Sequence, residues 1–461
     1  MVIFLFSALV VSAAFEPIGI WYLALVGYAL FFRGLSKSRR PVLASFIFGA
    51  ILNGIVLHWS SKYVGALPWL LLTLLQAAFY LPVGWIYRKT NSLRWVLFTF
   101  LICEELRARF PFGGFAWTRI AFSQVESPLL PLVSIGGVLL LSFATLLSAL
   151  ALTRLKVRAL ALVAVGFLIV TFLPNNPTSS EKISLIAIQG NTPSVGLEFN
   201  SRAKAVFYLH RDTTRQLVKQ KYDAVVWPEN AIDIDPRNYP EVLADIKTLV
   251  EEIDTPLIAG VVLTEQGSPA NASVMYNNTG AVKSTYIKRY LTPFGEYMPL
   301  REIAEFVSPY AKSVNDFKPG QIFVSHEIGG YQVAPIICYE IINDGLVRES
   351  ANRTGAIIVQ TNSATFANTA ESAQQLAITR IRAVEHSREI LSVSTVGISA
   401  FIGNNGAVIS QTPENISTSI SGDLKISNYQ TLADRLGGVA PLLVLLASLI
   451  FASGIRRKVL R

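Results

Sequence analysis

Pro335-Ile336-Ile337-Cys338-Tyr339-Glu340 is the stretch that decides how the polar half of the chain folds. A short apolar run without charges is typical of a strand that is buried on both faces of its sheet, as in α/β proteins. The run stops at a cysteine, and reactive side chains in α/β domains usually lie where strands end. We therefore predict a strand over 332–338 that places Cys338 at the edge of a sheet.

Two other apolar runs end at an ionisable residue in the same way. Val225-Val226-Trp227-Pro228-Glu229 ends at a carboxylate, and Tyr286-Ile287-Lys288 ends at an ammonium group. Each residue alone has an ordinary explanation: an inert buried cysteine, a helix-capping carboxylate or a solvated lysine. Together they form a chemical set, because a carboxylate can deprotonate a thiol and an ammonium group can stabilise an oxyanion. We also expect the lysine to lower the pKa of the thiol.

Strand and helix patterns alternate on both sides of these three runs, from residue 181 to residue 424. The runs that predict strands are 183–189, 224–227, 256–263, 282–287, 332–338, 355–360 and a strand region over 390–409. Helical periodicity covers 199–219, 239–252 and 371–386. The alternation indicates an α/β layered domain.

The rest of the chain is much more apolar than this domain. Of all 461 residues, 51% are hydrophobic and only 15% are charged, whereas about 25% is usual for a soluble protein. A helix that crosses a bilayer needs about 20 apolar residues. We predict eight spans, of which the first seven form a transmembrane domain over 1–175 and the last is a C-terminal transmembrane helix: 2–15, 18–32, 41–57, 66–87, 94–106, 128–152, 158–174 and 438–455.

The net charge of +9 comes from short basic segments between the predicted spans. Four segments follow spans two, four, six and eight, and they contain no acidic residue: Arg33 to Arg40, Arg88 to Arg94, Arg154 to Arg158 and Arg456 to Arg461. Positive loops stay in the cytoplasm, so both termini are expected there and residues 175–437 outside. No basic stripe interleaved with aromatics is present, so a nucleic-acid partner is not expected.

Three further features of the sequence bear on the site. The N-terminal apolar run has no preceding basic residue, so we expect a retained span rather than a cleaved signal peptide. The two cysteines, Cys103 and Cys338, fall in different domains, and no Cys/His cluster has metal-ligand spacing, so neither a disulfide nor a metal is expected.

Between spans five and six, Arg107, Arg109 and Arg119 have two interpretations: snorkelling side chains of an interfacial loop, or ligands of a phospholipid phosphate.

The order Glu229, Lys288, Cys338 resembles the catalytic triad of the nitrilase superfamily. Longer motifs resemble the bacterial apolipoprotein N-acyltransferases within it, and the resemblance covers nearly the whole chain. The motifs are Gln189-Gly190-Asn191, Trp227-Pro228-Glu229, Tyr286-x-Lys288-x-x-Leu291-x-Pro293-Phe294-Gly295-Glu296-Tyr297-x-Pro299-Leu300, Cys338-Tyr339-Glu340, Arg380-x-Arg382-Ala383-x-Glu385 and, in the apolar part, Glu104-x-Leu106-Arg107 with Phe110-Pro111 and Ser123-Gln124.

The resemblance implies an α-β-β-α sandwich over 181–424 and an acyl transfer that needs no cofactor. A membrane phospholipid would donate a fatty acyl group to the thiol of Cys338. The acyl group would then pass to the α-amine of an S-diacylglyceryl-cysteine apolipoprotein, with the enzyme acting as a membrane-bound monomer.

The resemblance also assigns roles to individual residues. Glu229 would be the general base, while Lys288 and the backbone N–H of Tyr339 would hold the oxyanion. Glu296 and Glu340 would orient Lys288 and the site as supporting carboxylates.

Two positions depart from the family pattern, and two other functions stay open. Leu197-Glu198 stands where a tryptophan is usual, and Thr365 stands where an aromatic residue is usual. Both positions are expected near the lipid substrates, so they bear on substrate preference. The alternatives are a membrane-tethered amidase of the nitrilase type and a non-catalytic lipid-binding relative.

Overall fold

The computed structural model describes residues 1–62, 65–154, 157–172, 177, 179–196, 203–307, 311–312 and 314–454. The chain forms two compact units. The first comprises Met1–Asn175 and Gln430–Arg461, and the second comprises Asn176–Tyr429.

The elements of the described residues are numbered here in chain order. The helices are α1 (Val2–Ser12), α2 (Tyr22–Leu35), α3 (Pro41–Val56), α4 (Ala66–Ala78), α5 (Leu81–Thr90), α6 (Leu93–Arg107), α7 (Val133–Arg154), α8 (Val157–Thr171), α9 (Ala205–Leu217), α10 (Pro240–Ile253), α11 (Arg301–Val307), α12 (Asp344–Arg353), α13 (Glu371–His386), α14 (Leu432–Leu436) and α15 (Val439–Ser453). The strands are β1 (Lys182–Gln189), β2 (Ala224–Val226), β3 (Leu257–Glu265), β4 (Ser268–Tyr276), β5 (Val282–Ile287), β6 (His326–Ile328), β7 (Tyr331–Ile337), β8 (Ala356–Thr361), β9 (Ile390–Ser394), β10 (Ala400–Ile402), β11 (Val408–Gln411) and β12 (Thr418–Lys425).

The first unit is helical, and two of its helical segments are long and apolar enough to cross a membrane. They are Ala66–Thr90, with 25 residues, and Leu130–Thr153, with 24 residues. Four shorter apolar helices accompany them: α1, α2, α3 and α15. The two long segments lie where spans 66–87 and 128–152 were predicted. The eight-span topology itself stays a prediction.

Neither long segment is a straight helix. The first is divided by Phe79-Tyr80 into α4 and α5. The second contains Gly136 and Gly137, whose backbone angles are not helical, and Gly137 has a φ of +71°. Glycine adopts such a conformation without a steric penalty, which is why the helix can bend there.

Helices α2, α3 and α6 pack through a cluster of aromatic side chains. The rings of Phe31 and Phe48 lie 4.5 Å apart, and Phe100 lies edge-on to Phe31 at 5.6 Å. Gly84 lets α5 approach the start of α3, because a Cβ there would lie 2.4 Å from the carbonyl oxygen of Pro41. Aromatic packing and a small residue at a close crossing therefore hold these helices together.

The arginines between the fifth and sixth predicted spans do not share one environment. Arg107 is buried and donates to the hydroxyl and carbonyl oxygens of Thr118 at 2.9 and 2.8 Å. Arg119 is buried too and lies 3.4 Å from Glu105. Only the side chain of Arg109 is half-exposed, and it pairs with the other oxygen of Glu105 at 2.5 Å. Among the three, only Arg109 has a half-exposed side chain, and the phosphate-ligand hypothesis stays a prediction.

The second unit contains two six-stranded mixed sheets. The first has the order β12-β1-β2-β3-β4-β5, and the second has the order β11-β10-β9-β8-β7-β6. Each contains three parallel strands, β1, β2 and β3 in one sheet and β7, β8 and β9 in the other. In each sheet, antiparallel strands flank the three parallel strands on both sides.

Helices and sheets stack in four layers, and strand β1 shows how. Leu185 and Ala187 face the second sheet within one apolar core. Ile186 and Ile188 point the other way and pack with α9 and α10 in a separate core. The α12 and α13 helices cover the outer face of the second sheet. The predicted α-β-β-α sandwich is therefore confirmed, and its central strands β2, β8 and β9 are buried on both faces.

Several boundaries differ from the sequence predictions. The strand region over 390–409 divides into β9, β10 and the start of β11. Helix α9 begins at Ala205, and the earlier part of the predicted helix, residues 199–202, lies outside the described residues. Strands β4, β6 and β12 and helix α12 were missed. Their short or polar runs carry little hydrophobic periodicity.

Gly260 in β3 lets this strand approach the chain that follows β2. Its N–H donates to the carbonyl oxygen of Pro228 at 3.2 Å. A Cβ at this position would lie 2.3 Å from that oxygen and 2.6 Å from the Cα of Glu229. Backbone atoms cannot move aside as a flexible side chain can. We therefore predict that Gly260→Ala lowers the free energy of unfolding by about 1–3 kcal/mol, as overpacking does.

The midpoint of thermal unfolding of the full chain in detergent measures this effect. Gly422→Ala is the matched control in the same sheet, since its new Cβ would lie 3.5 Å from the ring of Phe401, an ordinary contact. Equal midpoints for the two variants would contradict the close approach at Gly260.

Candidate active site

Glu229 lies just after β2, where the parallel strands of the first sheet end. Its side chain is 5% exposed. The preceding Trp227 is fully buried and anchors the segment, since its Nε1 donates to Thr214 Oγ1 at 2.9 Å and its carbonyl oxygen accepts from Gln360 at 2.6 Å. A residue next to such an anchor has little freedom, so the carboxylate is held in a fixed position.

Lys288 follows β5 and is buried between two carboxylates. Its Nζ lies 2.8 Å from Glu296 Oε2 and 3.3 Å from Glu229 Oε1. Only 1% of the lysine is exposed. Burial alone would lower the pKa of Lys288, but the charges of Glu296 and Glu229 outweigh it and raise that pKa above its ordinary value. Lys288 therefore keeps its positive charge in the interior.

Asn271 of β4 connects the same two carboxylates. Its Nδ2 donates to Glu229 Oε1 at 2.6 Å and to Glu296 Oε1 at 2.9 Å. Its backbone oxygen also accepts from the N–H of Lys288 at 2.8 Å. One amide thus fixes both carboxylates and the chain that carries the ammonium group. Asn271 was not predicted, because the run that forms β4 was not recognised as a strand; an asparagine between small residues was its signal in the sequence.

Cys338 begins a short 3-10 helix, Cys338–Ile342, directly after β7. Its φ of +50° is unusual for a residue with a side chain and marks a sharp turn from strand to helix. The residue as a whole is partly exposed, but its thiol is buried and hydrogen-bonds to Glu229. Gln375 of α13 donates to its sulfur at 3.7 Å. The turn therefore presents the thiol to the carboxylate rather than burying it in the sheet.

Glu340 holds the two strand ends together, because both of its carboxylate oxygens accept hydrogen bonds. Oε1 accepts from the hydroxyl of Tyr286 at 2.8 Å and from the backbone N–H groups of Arg289 and Tyr290 at 2.8 and 3.0 Å. Oε2 accepts from the N–H of Ile337 at 2.8 Å. Glu340 therefore supports the position of Lys288 through the backbone on either side of the site, not by a direct bond to its ammonium group.

Tyr339 connects the same two loops through its ring. It is buried and stacks on Tyr290, with 6.0 Å between ring centroids and 9° between the planes. Its backbone N–H directly follows the left-handed residue Cys338, at the second position of the 3-10 helix and therefore next to the residue that carries the thiol. This is a suitable place for an oxyanion donor, as the family resemblance suggested.

The pKa values of the site differ from what the sequence indicated. Burial raises the pKa of Glu229, and Glu296 adds to the rise against the opposing charge of Lys288. Burial would also raise the pKa of Glu296, but the charge of Lys288 and the hydrogen bonds from Asn271, Lys288 and the N–H of Thr292 together outweigh it and lower that pKa. Burial and Glu229 raise the pKa of the Cys338 thiol well above its ordinary value. As predicted, Lys288 lowers the pKa of the thiol, but burial and Glu229 outweigh its effect, so the net shift is upward.

The structure brings Glu229, Lys288, Cys338 and Glu296 into one cluster, with Tyr339 and Glu340 behind it. Such a cluster can perform nucleophilic acyl chemistry: a base hydrogen-bonded to a thiol, and a fixed ammonium group beside both. Thr365 is partly buried in a 3-10 turn, Ala364–Phe366. Leu197-Glu198, the other departure from the family pattern, lies outside the described residues.

Two family models match this chain, and together they cover most of it. The apolipoprotein N-acyltransferase N-terminal domain matches residues 7–151. The carbon-nitrogen hydrolase model matches residues 185–434, which is more than half of the chain.

Solved structures are similar to part of this chain only at low identity. A CN-hydrolase superfamily protein from Xanthomonas campestris is 16% identical, and the match covers 59% of this chain and 97% of that one at a TM-score of 0.41. An amidase from Nesterenkonia sp. is 15% identical over 55% of this chain and 94% of its own, at a TM-score of 0.42.

Curated relatives match over nearly the full length. The apolipoprotein N-acyltransferase of Mycolicibacterium smegmatis is 32% identical over 94% of this chain and 81% of its own length. That of Azotobacter vinelandii is 29% identical over 86% of this chain and 84% of its own length. With both units matched and the reactive cluster in place, this chain belongs to the apolipoprotein N-acyltransferase family and carries its carbon–nitrogen hydrolase domain.

Proposed function

We propose that the chain transfers a fatty acyl group from a membrane phospholipid to the N-terminal α-amine of an S-diacylglyceryl-cysteine lipoprotein. The observation that carries this proposal is the buried cluster of Glu229, Lys288 and Cys338 in a chain that matches N-acyltransferases over both units. All three side chains come from one unit of one chain. The proposal is therefore for an enzyme that acts as a monomer.

The donor half of the reaction begins at the hydrogen bond between Cys338 and Glu229. Glu229 takes the thiol proton, and the thiolate attacks the ester carbonyl of the phospholipid. Lys288 lies beside both groups and, with the N–H of Tyr339, stabilises the oxyanion. The C–O bond then breaks, Glu229 returns the proton to the leaving oxygen, and a lysophospholipid departs from an acyl-Cys338 thioester.

The raised pKa of Glu229 suits this shuttle. A general base works best when its pKa lies near the working pH, because it must both accept and return the proton. Glu296 stays ionised and holds the ammonium group of Lys288 at 2.8 Å, so the oxyanion donor does not need to reorganise during the reaction. Glu229 is thus the carboxylate that carries the proton, and Glu296 is the carboxylate that holds Lys288 in place.

The first unit supports a location in the cell membrane. Large apolar side chains are exposed along α4 and α15, among them Leu67, Leu70, Leu71 and Leu74 on α4 and Leu442, Leu443 and Leu446 on α15. Such faces are typical of helices that contact lipid. By the positive-inside rule, the basic segments support cytoplasmic termini and an outside location for residues 175–437. The chain is then a multi-pass membrane protein with an extracytoplasmic catalytic domain.

The second unit also exposes an apolar surface near the site-bearing segment 288–300. On and next to α11, Leu300 and Ile303 are 62% and 61% exposed, and Phe306 is 92% exposed. Isolated apolar side chains on a surface are normal, but three within two helical turns form a patch. Contact of this patch with lipid would keep the site close to both membrane-anchored substrates, which is an advantage of positioning.

The first functional prediction concerns the thioester. Incubation of the purified full chain with phospholipid alone should add one acyl chain to the protein, and neutral hydroxylamine should remove it. Cys338→Ser should abolish the adduct, because a serine hydroxyl is far harder to deprotonate than a thiol. Intact-mass spectrometry measures the adduct, and addition of a diacylated lipopeptide should discharge it onto the peptide amine.

Cys103→Ala is the matched control, since Cys103 lies in the other unit and should not affect acylation. An adduct that persists in Cys338→Ala would show that the nucleophile is another residue. Discharge to free fatty acid, with none on the lipopeptide, would identify a hydrolase instead of a transferase.

The second functional prediction concerns Lys288. Lys288→Arg should not form the acyl-enzyme at the rate of the parent protein, since a planar guanidinium cannot replace the ammonium group between two carboxylates. Loss of one oxyanion donor should slow acylation by about 10²–10³-fold. The rate of adduct formation in the intact-mass assay measures this. Lys221→Arg is the control, since that lysine is 67% exposed and pairs with Asp254 away from the site. Near-normal acylation by Lys288→Arg would refute the role.

The third functional prediction concerns topology. A reporter enzyme that is active only outside the cytoplasm should be active when fused after Pro174 and inactive when fused after Arg40. The basic segments on one side of the predicted spans are the physical reason. The opposite pattern of reporter activity would reverse the orientation and place the catalytic unit in the cytoplasm.

A further inference from the structure

The carboxylate of Glu371 is a further buried carboxylate near the thiol, in addition to those of Glu229, Glu296 and Glu340. It is the first residue of α13 and is 3% exposed. Gln375 lies one turn further along the same helix face and donates to Cys338 Sγ at 3.7 Å. The negative charge of Glu371 contributes to the raised pKa of the thiol, after the effects of burial and Glu229. The start of α13 therefore faces the reactive sulfur.

The ordinary role of an acidic residue in this position does not fit Glu371. A carboxylate in the first turn of a helix is usually exposed or accepts backbone N–H groups. Here Oε2 of Glu371 is buried and accepts no hydrogen bond within 3.5 Å from the described residues of the chain; the hydroxyl of Ser363 lies near the carboxylate and lowers its pKa, but less than burial raises it. A buried carboxylate oxygen without a donor is costly. It points to a donor group that arrives from outside the protein.

The surroundings of this oxygen favour a cation. The charged groups that act on Glu371 are Glu229, after β2, and Glu414, after β11, and Glu371 in turn acts on the thiol of Cys338. Glu414 is itself half-buried and hydrogen-bonds to Ser372, the next residue of α13. A positively charged amine would relieve the repulsion among these carboxylates and would supply the missing donor.

We propose that Glu371 binds the α-ammonium group of the acceptor beside the acyl-Cys338 thioester and removes its first proton. This assignment rests on the proposed N-acyltransferase function. It adds an acceptor subsite to the same site and gives the two substrates different bases, since Glu229 serves the thiol.

The proton balance requires such a second base. The acceptor arrives as an ammonium ion, and its lone pair becomes available only after one proton moves to Glu371. The amine then attacks the thioester carbonyl, a C–N bond forms and the C–S bond breaks. The nitrogen loses a second proton to Glu229, which returns it to the thiolate of Cys338. The proton on Glu371 leaves to solvent, so that an amide, a free thiol and one released proton remain.

The acidity of Glu371 is matched to this task. Burial raises its pKa to about 7, and the charges of Glu229 and Glu414 add to the rise. The α-amino group of a peptide has a pKa of about 7.7–8.0. Proton transfer between two groups of similar pKa costs little free energy. The carboxylate of Glu371 is also still partly ionised at neutral pH, so it can accept the proton. An ordinary glutamate would be a much weaker base for this ammonium ion.

The test separates the two half-reactions of the full chain with Glu371→Gln. Formation of the acyl-enzyme from phospholipid should not slow, because removal of a negative charge eases formation of the thiolate. Transfer from the isolated acyl-enzyme to a diacylated lipopeptide should slow by about 10²-fold at pH 7, the scale of general-base catalysis. The rate of transfer in the variant should recover at higher pH, where the amine loses its proton unaided.

Hydroxylamine provides a second measurement on the same acyl-enzyme. It is uncharged at neutral pH, so it should cleave the thioester of Glu371→Gln as fast as that of the parent. Glu241→Gln is the matched control, because Glu241 lies in the first turn of α10 and forms an exposed ion pair with Lys204. It should leave both half-reactions unchanged.

The other outcomes overturn the assignment. Equal slowing of both half-reactions would indicate a structural role for Glu371, and unaltered transfer would remove it from the acceptor site. If Glu371→Gln does not fold, Glu371→Asp provides the same comparison, with normal acylation and slowed transfer expected. A parent protein that forms no thioester would refute the proposed function itself, and the role of Glu371 with it.

Discussion

One buried ammonium group shared by two carboxylates sets the geometry of the second unit. Lys288 lies 2.8 Å from Glu296 and 3.3 Å from Glu229, and none of the three is more than 9% exposed. Charges in such a place lose their hydration, so each of them needs a partner. Loss of one partner from a buried pair costs about 3–5 kcal/mol. The arrangement therefore persists only as a whole, and Asn271 completes it by donating to both carboxylates.

The same cluster determines where the protons lie at rest. Lys288 keeps its proton and Glu296 stays ionised, while the pKa values of Glu229 and the Cys338 thiol are both raised. The resting nucleophile is thus a neutral thiol hydrogen-bonded to a carboxylate, not a preformed thiolate. A neutral thiol is slow to oxidise and slow to react. Reactivity then appears when a carbonyl group occupies the site and the developing oxyanion is stabilised by Lys288.

The sequence revealed the residues of this cluster better than it revealed their energetics. Strand β5 and helix α13 have the predicted limits, and the ends of β2 and β7 bring Glu229 and Cys338 to the site. These elements have apolar runs long enough to show their period. Strand β4 was missed, and Asn271 with it, because its first half consists of small and polar residues.

The sign of the thiol shift could not be obtained from the sequence either. An adjacent lysine suggests a lowered pKa, whereas burial, which depends on the folded structure, raises it. Glu371 was overlooked for a similar reason. An acidic residue at a helix start is common, and only its burial and its unpartnered oxygen distinguish it.

The acidic surroundings of the thiol also suggest why an acyl group would pass to an amine rather than to water. Water competes for any thioester, and after the donor leaves, Glu229 is again an ionised base that could activate it. Glu371 adds negative charge beside the sulfur, and Glu414 adds negative charge near Glu371; this charge attracts an ammonium ion but has no comparable effect on a neutral water molecule. On the proposed assignment, the deprotonated amine is then formed next to the carbonyl and displaces water from the attacking position. Selection between transfer and hydrolysis would thus depend on the charge of the acceptor as it enters, before any bond is formed.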